Sequence, residues 1–311
     1  MRRKSTFTRK LSSFLCSALL LFGLSAPAWS WDGTGHMLIA QIAFDTMPHK
    51  VALRIQQKLK PLKYGFPPYN FVTAACWMDD IKRDPQNPYR DLSALHYVDI
   101  PYSKDASRFK IPSGENAITE LQQTIKDLHK STFDANEQAR QWAIVMHLVG
   151  DIHQPLHCVD HDDRGGNDVP IIGIPDLPEN PKTHNLHFFW DTAFSYDVYN
   201  GSVRKLYRNV STENRPADLK NGFIAWQAWR LLQKYPPQKM KSYADLKVTD
   251  WARESYDDAC NFAYAPVIKS DKMPVFLDAN YVHGAHEIAA QRIVLAGVRL
   301  GKMLVKLDAE K

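Results

Sequence analysis

The 311-residue chain has no Gly/Ser-rich linker, no low-complexity block and no internal repeat, which excludes a repeat array or domains strung on flexible tethers. One folded domain is the expected organisation. Long hydrophobic runs are missing too. The one sustained apolar stretch, Phe14–Leu24, is too short for a membrane helix, which takes ~20 residues. Its flanks are those of a secretory leader. Met1–Lys10 holds Arg2, Arg3, Lys4, Arg9 and Lys10 with no acidic residue, and Ser25-Ala-Pro-Ala-Trp-Ser30 forms a small-residue cleavage region. Cleavage after Ser30, with Ala28 at the −3 position, leaves Trp31 as the amino terminus; cleavage after Ala28 fits the small-residue rule nearly as well. The expected destination is the periplasm or the extracellular space, with no membrane span in the mature chain.

Net charge is also lacking once the leader is set aside. Of 39 Lys+Arg, five lie in the leader, leaving 34 against 34 Asp+Glu. The formal balance is zero, so no global positive field draws in nucleic acid, and phosphate binding needs a local positive source. Cysteine is scarce: four in all, with Cys76, Cys158 and Cys260 beyond the leader. Export permits disulfides, but an odd count leaves at least one thiol unpaired within the chain, and both one bridge and none stay open. Sequons stand at Asn200 and Asn209.

What is present is helical periodicity. The patterns predict helices over His36–Asp45, Val51–Leu59, Asn116–Leu128, Asn136–Val149 (capped by Asp134), Asn221–Gln233, Asp245–Tyr264 and Ala285–Leu307. Loops rich in Pro, Gly and Asp are expected at Tyr64–Tyr69, Asp84–Tyr89, Asp160–Asp168 and Pro175–Thr183. Only Val169–Ile174 and Leu95–Ile100 read as strands. The expected fold class is all-α, a single compact multi-helix domain with at most a short β-hairpin.

Histidine and aspartate recur at metal-ligand spacing. His147 and Asp151 are four apart and project from one helix face; His187 and Asp191 repeat that spacing; His157 follows beyond Pro155. Imidazole nitrogen and carboxylate oxygen both suit Zn²⁺. His147 and His187 sit among apolar residues, where a polar side chain is costly unless paired or metal-bound. Hydrogen-bonded core histidines are the structural alternative.

These residues belong to longer motifs: Trp31-Asp-Gly-Thr-Gly-His36, Trp77-Met-Asp79, Leu95-His96-Tyr-Val-Asp99, His147-Leu-Val-Gly-Asp151-Ile-His-Gln-Pro-Leu-His157, Gly165-Gly-Asn167 and Asn185-Leu-His187-x-x-x-Asp191-Thr. In this order they closely resemble the zinc-dependent single-strand-specific nucleases named after the fungal enzymes S-one and P-one. The resemblance continues through Trp251-Ala-Arg-Glu-Ser and Ala296-Gly-Val-Arg-Leu, covering essentially the whole mature chain. It implies three Zn²⁺ ions: one held by Asp79, His96, His147 and Asp151, and a second by His157, His187 and Asp191. A third is implied on the free amino group and carbonyl of Trp31 with His36 and a shared Asp151. That amine exists only if processing exposes it, which favours cleavage after Ser30.

The resemblance also implies an endonuclease that cuts single-stranded DNA and RNA to 5′-mononucleotides and acts on 3′-nucleotides, with no stable protein partner. Asp151, shared between two zincs, and Lys82, near the phosphate, are its expected catalytic residues; Tyr97 (base stacking), Asp99 and Asn167 are its expected substrate contacts. Each has a plainer reading: Lys82 as an exposed lysine, Tyr97 as core, Asp99 as orienting a ligand histidine, Asn167 as satisfying its turn. His153 is expected to support the ligands or to be exposed. His49, His129, His161, His184, His283 and His286 match no ligand position. Zinc-dependent phospholipase C, similar in architecture and in its amino-terminal Trp, is the alternative enzyme. A non-catalytic exported zinc-binding protein is the other alternative; it predicts closed four-ligand coordination. Cysteine placement departs from the fungal members, and Asp160, Asp162, Asp163 and Asp168 make the 160–168 loop acidic.

Overall fold

The computed structural model describes residues 31–310 apart from 129, 131, 176, 178–183, 208–221 and 271–272. The expected leader, His129, the Asn209 sequon and most of the 175–183 loop lie outside the described residues.

Helix α1 (Gly33–Thr46) starts where Asp32 caps it, accepting from the Gly35 amide at 2.9 Å. Its apolar residues run almost all round, and accordingly it is buried from Thr34 to Ala40 and again at Ile42 and Ala43. It lies along the long α10 (Ala279–Ala309), where Gly297 permits the contact: a Cβ there would stand 2.5 Å from Ile42 Cγ2. Helix α5 (Ala135–Ile152), capped by Asp134, is buried continuously from Gln141 to Ile152. Around these pack α2 (His49–Leu59), α4 (Ala117–Asp127, capped by Asn116), α7 (Phe223–Lys234) and α8 (Val248–Asp258), the last continued by a π-turn over Ala259–Ala263. Short helices α3 (Trp77–Asp80), α6 (Leu186–Thr192) and α9 (Ala265–Lys269) complete the set. Trp31, Trp77, Trp142, Trp190 and Trp251 are at most 1% exposed. At 150–250 Å² each, every one contributes roughly 4–6 kcal/mol of transfer free energy, as an upper bound.

The all-α expectation holds, with differences in its minor strands. Leu95–Ile100 is no strand: Leu95 and His96 end a 3₁₀ segment over Arg90–His96, and 97–100 are irregular. Within Val169–Ile174, Ile171–Ile172 (β1) pairs in parallel with Val275–Phe276 (β4), and Pro170 makes an isolated antiparallel bridge to Asn185. The hairpin forms elsewhere, from Tyr196–Tyr199 (β2) and Ser202–Lys205 (β3). Its turn residues Asn200 and Gly201 have φ of 51° and 75°, the conformation that Asn-Gly favours. Among the described residues no helix is long and apolar enough to cross a membrane. Cys76, Cys158 and Cys260 are all buried, and no bridge forms among them.

Candidate metal centre

The second half of α5 supplies His147 and Asp151 on one face, both fully buried. His36 enters from the first turn of α1, its Nε2 3.3 Å from Asp151 Oδ1. His96, at the end of the 3₁₀ segment, brings Nδ1 to 3.0 Å from Asp151 Oδ2 and 3.0 Å from His147 Nε2. Asp79 of α3 completes the group, 3.9 Å from His96 Nδ1 and 4.0 Å from His147 Nε2. His36, Asp79 and His147 form one set whose ligand atoms converge as on a metal ion; His96, His147 and Asp151 form another, sharing His147.

A third set lies one turn further along the chain. Pro155 ends the helical run and opens a 3₁₀ turn, Pro155–Cys158, that turns His157 toward α6. On α6, capped by Asn185, His187 and Asp191 are four apart. His157 Nε2 stands 3.7 Å from Asp191 Oδ1, and His187 Nε2 3.7 Å from Asp191 Oδ2. These spacings are too long for hydrogen bonds. Two ligands at 2.0–2.2 Å from one tetrahedral ion would stand about 3.3–3.6 Å apart.

The surrounding backbone fixes the tautomers. His147 Nδ1–H donates to Ala75 O, His157 Nδ1–H to His96 O and His187 Nδ1–H to Gly165 O, each at 2.7 Å. A carbonyl only accepts, so in each ring the proton sits on Nδ1 and Nε2 turns toward the carboxylates. Among the described residues, two fully buried carboxylate oxygens lack a hydrogen bond of good geometry: Asp191 Oδ2 and Asp151 Oδ1, the latter 3.3 Å from His36 Nε2. Burial pushes the Asp191 carboxyl well above the usual range. Asp151 is held well below it, the His147, His36 and His96 rings outweighing burial. Burial, with His147 adding to it, lowers His36 to about 4; burial and Lys82 lower His96 to about 3. Burial works against a charge on His147, but the Asp151 and Asp79 carboxylates outweigh it and raise that ring's pKa, so a bound cation takes the place of its proton. Imidazoles and carboxylates together are the donor set that a borderline cation such as Zn²⁺ prefers.

Trp31 is wedged beside this cluster. Its indole Nε1–H donates to Gly150 O at 3.0 Å, and the next amide, Asp32 N–H, donates to Asp191 O at 3.1 Å. Thus the residue expected to open the mature chain sits against both ligand helices. Gly35 accommodates it, since a Cβ there would stand 2.9 Å from Trp31 Cβ.

The remaining expected site residues fall around the rim. Lys82 is largely buried rather than an exposed lysine, its Nζ 2.9 Å from Asp79 Oδ1. Tyr97 is half-buried and Asp99 exposed. Both follow His96 in a segment tied to the third set, because Val98 N–H donates to His157 O at 2.7 Å. Asp99 opens onto a groove of about 820 Å³ lined also by Tyr102, Lys104, Arg108 and His161. Asn167 satisfies its own turn, donating to Arg164 O at 2.8 Å. His153 is fully buried and belongs to none of the three metal sets; its Nε2 accepts from Arg299 at 2.8 Å. Gln154 was missed from the sequence: its Nε2 donates to Asp191 Oδ1 at 2.7 Å, orienting that carboxylate. Its place between Asp151 and His157 was the available signal.

The family described as S1/P1 Nuclease matches residues 31–308. Endonuclease 3 of Arabidopsis thaliana is 26% identical over 97% of each chain, and Endonuclease 2 of the same plant is 25% identical over 89% of this chain and 90% of its own. Nuclease S1 of Aspergillus oryzae is 25% identical over 61% of this chain and 64% of its own. With that match spanning nearly all of the described residues and three His/Asp sets gathered at one cluster, the chain belongs to the S1/P1 nuclease family.

Proposed function

We propose that the mature protein, residues 31–311 folded as one domain and exported after removal of a leader, is a three-zinc phosphodiesterase. It cuts single-stranded DNA and RNA to 5′-mononucleotides and removes phosphate from 3′-nucleotides. The convergence of His36, Asp79, His96 and His147 around Asp151, with His157, His187 and Asp191 alongside, supports this reading most strongly. In it Asp79, His96, His147 and Asp151 hold one zinc, His157, His187 and Asp191 a second, and the Trp31 amino group and carbonyl, His36 and Asp151 the third.

Zinc bound there lowers the pKa of water toward ~7 and neutralises phosphate charge, which this charge-balanced chain does not do globally. The chain's own groups do the rest. Lys82, held at Asp79, presents an ammonium to a phosphate oxygen as negative charge builds. Tyr97 stacks a base and Asp99 meets its edge, so only a strand whose bases splay out is accepted. Gln154 keeps Asp191 in register.

The test compares protein beginning at Trp31 with protein carrying one extra residue ahead of it. Zinc content and hydrolysis of single-stranded DNA, RNA and a phosphatidylcholine analogue are measured for each. About three zincs and strong nuclease activity in the Trp31 form alone support the assignment. Lipid cleavage without nucleic-acid cleavage moves it to a phospholipase C-like enzyme. Full zinc with no hydrolysis leaves a zinc-binding protein.

A further inference from the structure

Only five residues, Ile152 to Leu156, separate the last ligand of the Asp151 cluster from His157 of the neighbouring set. The position of His157 relative to Asp151 therefore depends on how this connector is held, alongside the hydrogen bonds of His157 with His96 O and Val98 N–H. Hydrogen bonds reach it from two helices that contribute no ligand. Ser255 Oγ–H on α8 donates to Ile152 O at 2.6 Å. Arg292 on α10 donates from Nε to His153 O at 3.3 Å, and from Nη2 to Ser255 Oγ at 2.7 Å and Trp251 O at 3.1 Å. Arg299, one further stretch along α10, donates from Nη1 to His153 Nε2 at 2.8 Å. Because an arginine only donates, that ring nitrogen is the acceptor, and Nδ1–H donates back to Val149 O at 2.7 Å. Both guanidiniums meet one carboxylate. Arg299 grips Glu254 through Nη1 at 2.7 Å and Nη2 at 2.8 Å, and Arg292 adds Nη1 at 2.8 Å.

Arg299 is fully buried and Arg292 is 4% exposed. Two arginines inside one domain are costly unless their charge is answered; Glu254 meets both, and Asp258 Oδ2 lies 3.7 Å from Arg292 Nε. Packing alone does not call for such an arrangement; an aliphatic residue fills the same space at less desolvation cost. The fork geometry does what an aliphatic side chain does not: it fixes direction. Here the directions converge on the carbonyls and ring of 152–153, the start of the connector.

We propose that Glu254, with Arg292 and Arg299, is a positioning device that fixes the separation between the Asp151 cluster and the His157/His187/Asp191 set through His153 and Ile152. It touches neither metal ligands nor substrate. The inference rests on the three-zinc reading above, and it makes a selective claim. Both sets keep backbone anchors of their own, Ala75 O on His147 and His96 O on His157, so weakening the device alters chiefly their separation, and the metal held by His157, the ligand next to the connector, loosens ahead of the others.

The test uses the full mature protein and two variants, Glu254→Gln and Arg299→Lys. The first is isosteric at a partly exposed position, which guards against misfolding; the second keeps the charge but loses the fork. Asp308→Asn is the control. It releases the clamp of Arg54 and Lys58 on α10, far along the helix from the connector, and so costs stability without touching 152–153. Zinc retention is followed against a graded chelator, together with the absorption spectrum of Co²⁺-substituted protein, and kcat and KM on single-stranded DNA. Expected for both variants is one zinc of three bound about 10–100-fold more weakly, an altered cobalt spectrum and a kcat loss of similar size with KM little changed. The control keeps all three metals. Unchanged zinc retention in both variants overturns the inference, and so does a uniform loosening of all zincs that matches the control at equal loss of stability. Wild-type protein that binds no zinc or leaves single-stranded DNA intact instead sinks the functional reading.

Discussion

The rings of His36 and His147 lie stacked, 4.0 Å between centroids and 14° from parallel, although one comes from α1 and the other from α5. The contact is possible because Gly150, one turn beyond His147's own position on α5, has no side chain. A Cβ there would stand 2.9 Å from His36 Nδ1 and 3.0 Å from Cε1. Gly→Ala within a helix ordinarily stabilises by up to about 1 kcal/mol. Here the ring it meets is buried and stacked and has nowhere to go, so the overpacking cost of roughly 1–3 kcal/mol prevails. Gly150→Ala is expected to lower the urea midpoint and to release the metal held by His36. Urea unfolding and zinc analysis check both, and a stabilised variant with full metal would refute this account.

Asp191 gives a signature of metal uptake. Burial holds its carboxyl well above the ordinary value in the metal-free protein, so on acidification it takes up a proton before an ordinary carboxyl does. A cation needs the carboxylate, so zinc binding there must expel that proton. Proton release on adding zinc to chelator-treated protein is therefore expected to include a carboxyl proton at pH values where an ordinary carboxyl has already lost its own. Asp191→Asn removes that proton. Zinc also stabilises by mass action, about 2.7 kcal/mol per site at one hundred times Kd. Dye-monitored proton release in weak buffer and unfolding curves with and without chelator test the two halves separately.

Far from the metal cluster, Asp308 ties α10 to α2 through Arg54 and Lys58, the latter at 2.8 Å. Burial of the carboxyl is outweighed by these two cations, which lower its pKa below 3.8. A lowered folded value means that the stabilisation is complete above the unfolded value near 3.8 and lost as pH falls through the folded one. Asp308→Asn should cost about 1–3 kcal/mol at pH 7. The gap between the two proteins should hold down to pH near 3.8 and narrow on further acidification, as urea titrations across that range will show.

The helices were legible because each carries both an apolar period and a polar start. Asp134 before α5 and Asn116 before α4 cap as their residue types predict. Asp245–Tyr264 reads as one helix, yet the chain passes into a π-turn at Ala259, a change of hydrogen-bond partner that leaves no mark in the apolar pattern. The hairpin did leave a mark. Tyr199-Asn-Gly-Ser202 carries the Asn-Gly signal, but its strands have only four residues each. Ligand residues were legible through spacing within α5 and α6. How α1, α3 and the 95–98 segment join them follows from packing over long separations, and there the family motifs carried the reading. The Glu254–Arg292–Arg299 device was illegible, since two buried arginines meeting a half-buried glutamate on another helix look in sequence like ordinary surface charge.

Lys82 offers the sharpest separation of roles. Its Nζ lies 2.9 Å from Asp79 Oδ1, and Asp79 is drawn below the usual carboxylate range, Lys82 and the histidines outweighing burial. If the ammonium served only to settle Asp79, Lys82→Gln would loosen zinc and reduce kcat in proportion to the metal lost. A contact with phosphate in the transition state gives a different pattern. Zinc stays bound, KM moves little, and kcat falls about 10²–10³-fold, the cost of removing one charge-stabilising donor. Steady-state kinetics on single-stranded DNA at saturating zinc, alongside metal analysis of the same preparation, distinguish the two. Full recovery of kcat on adding zinc would leave Lys82 as support for Asp79 alone.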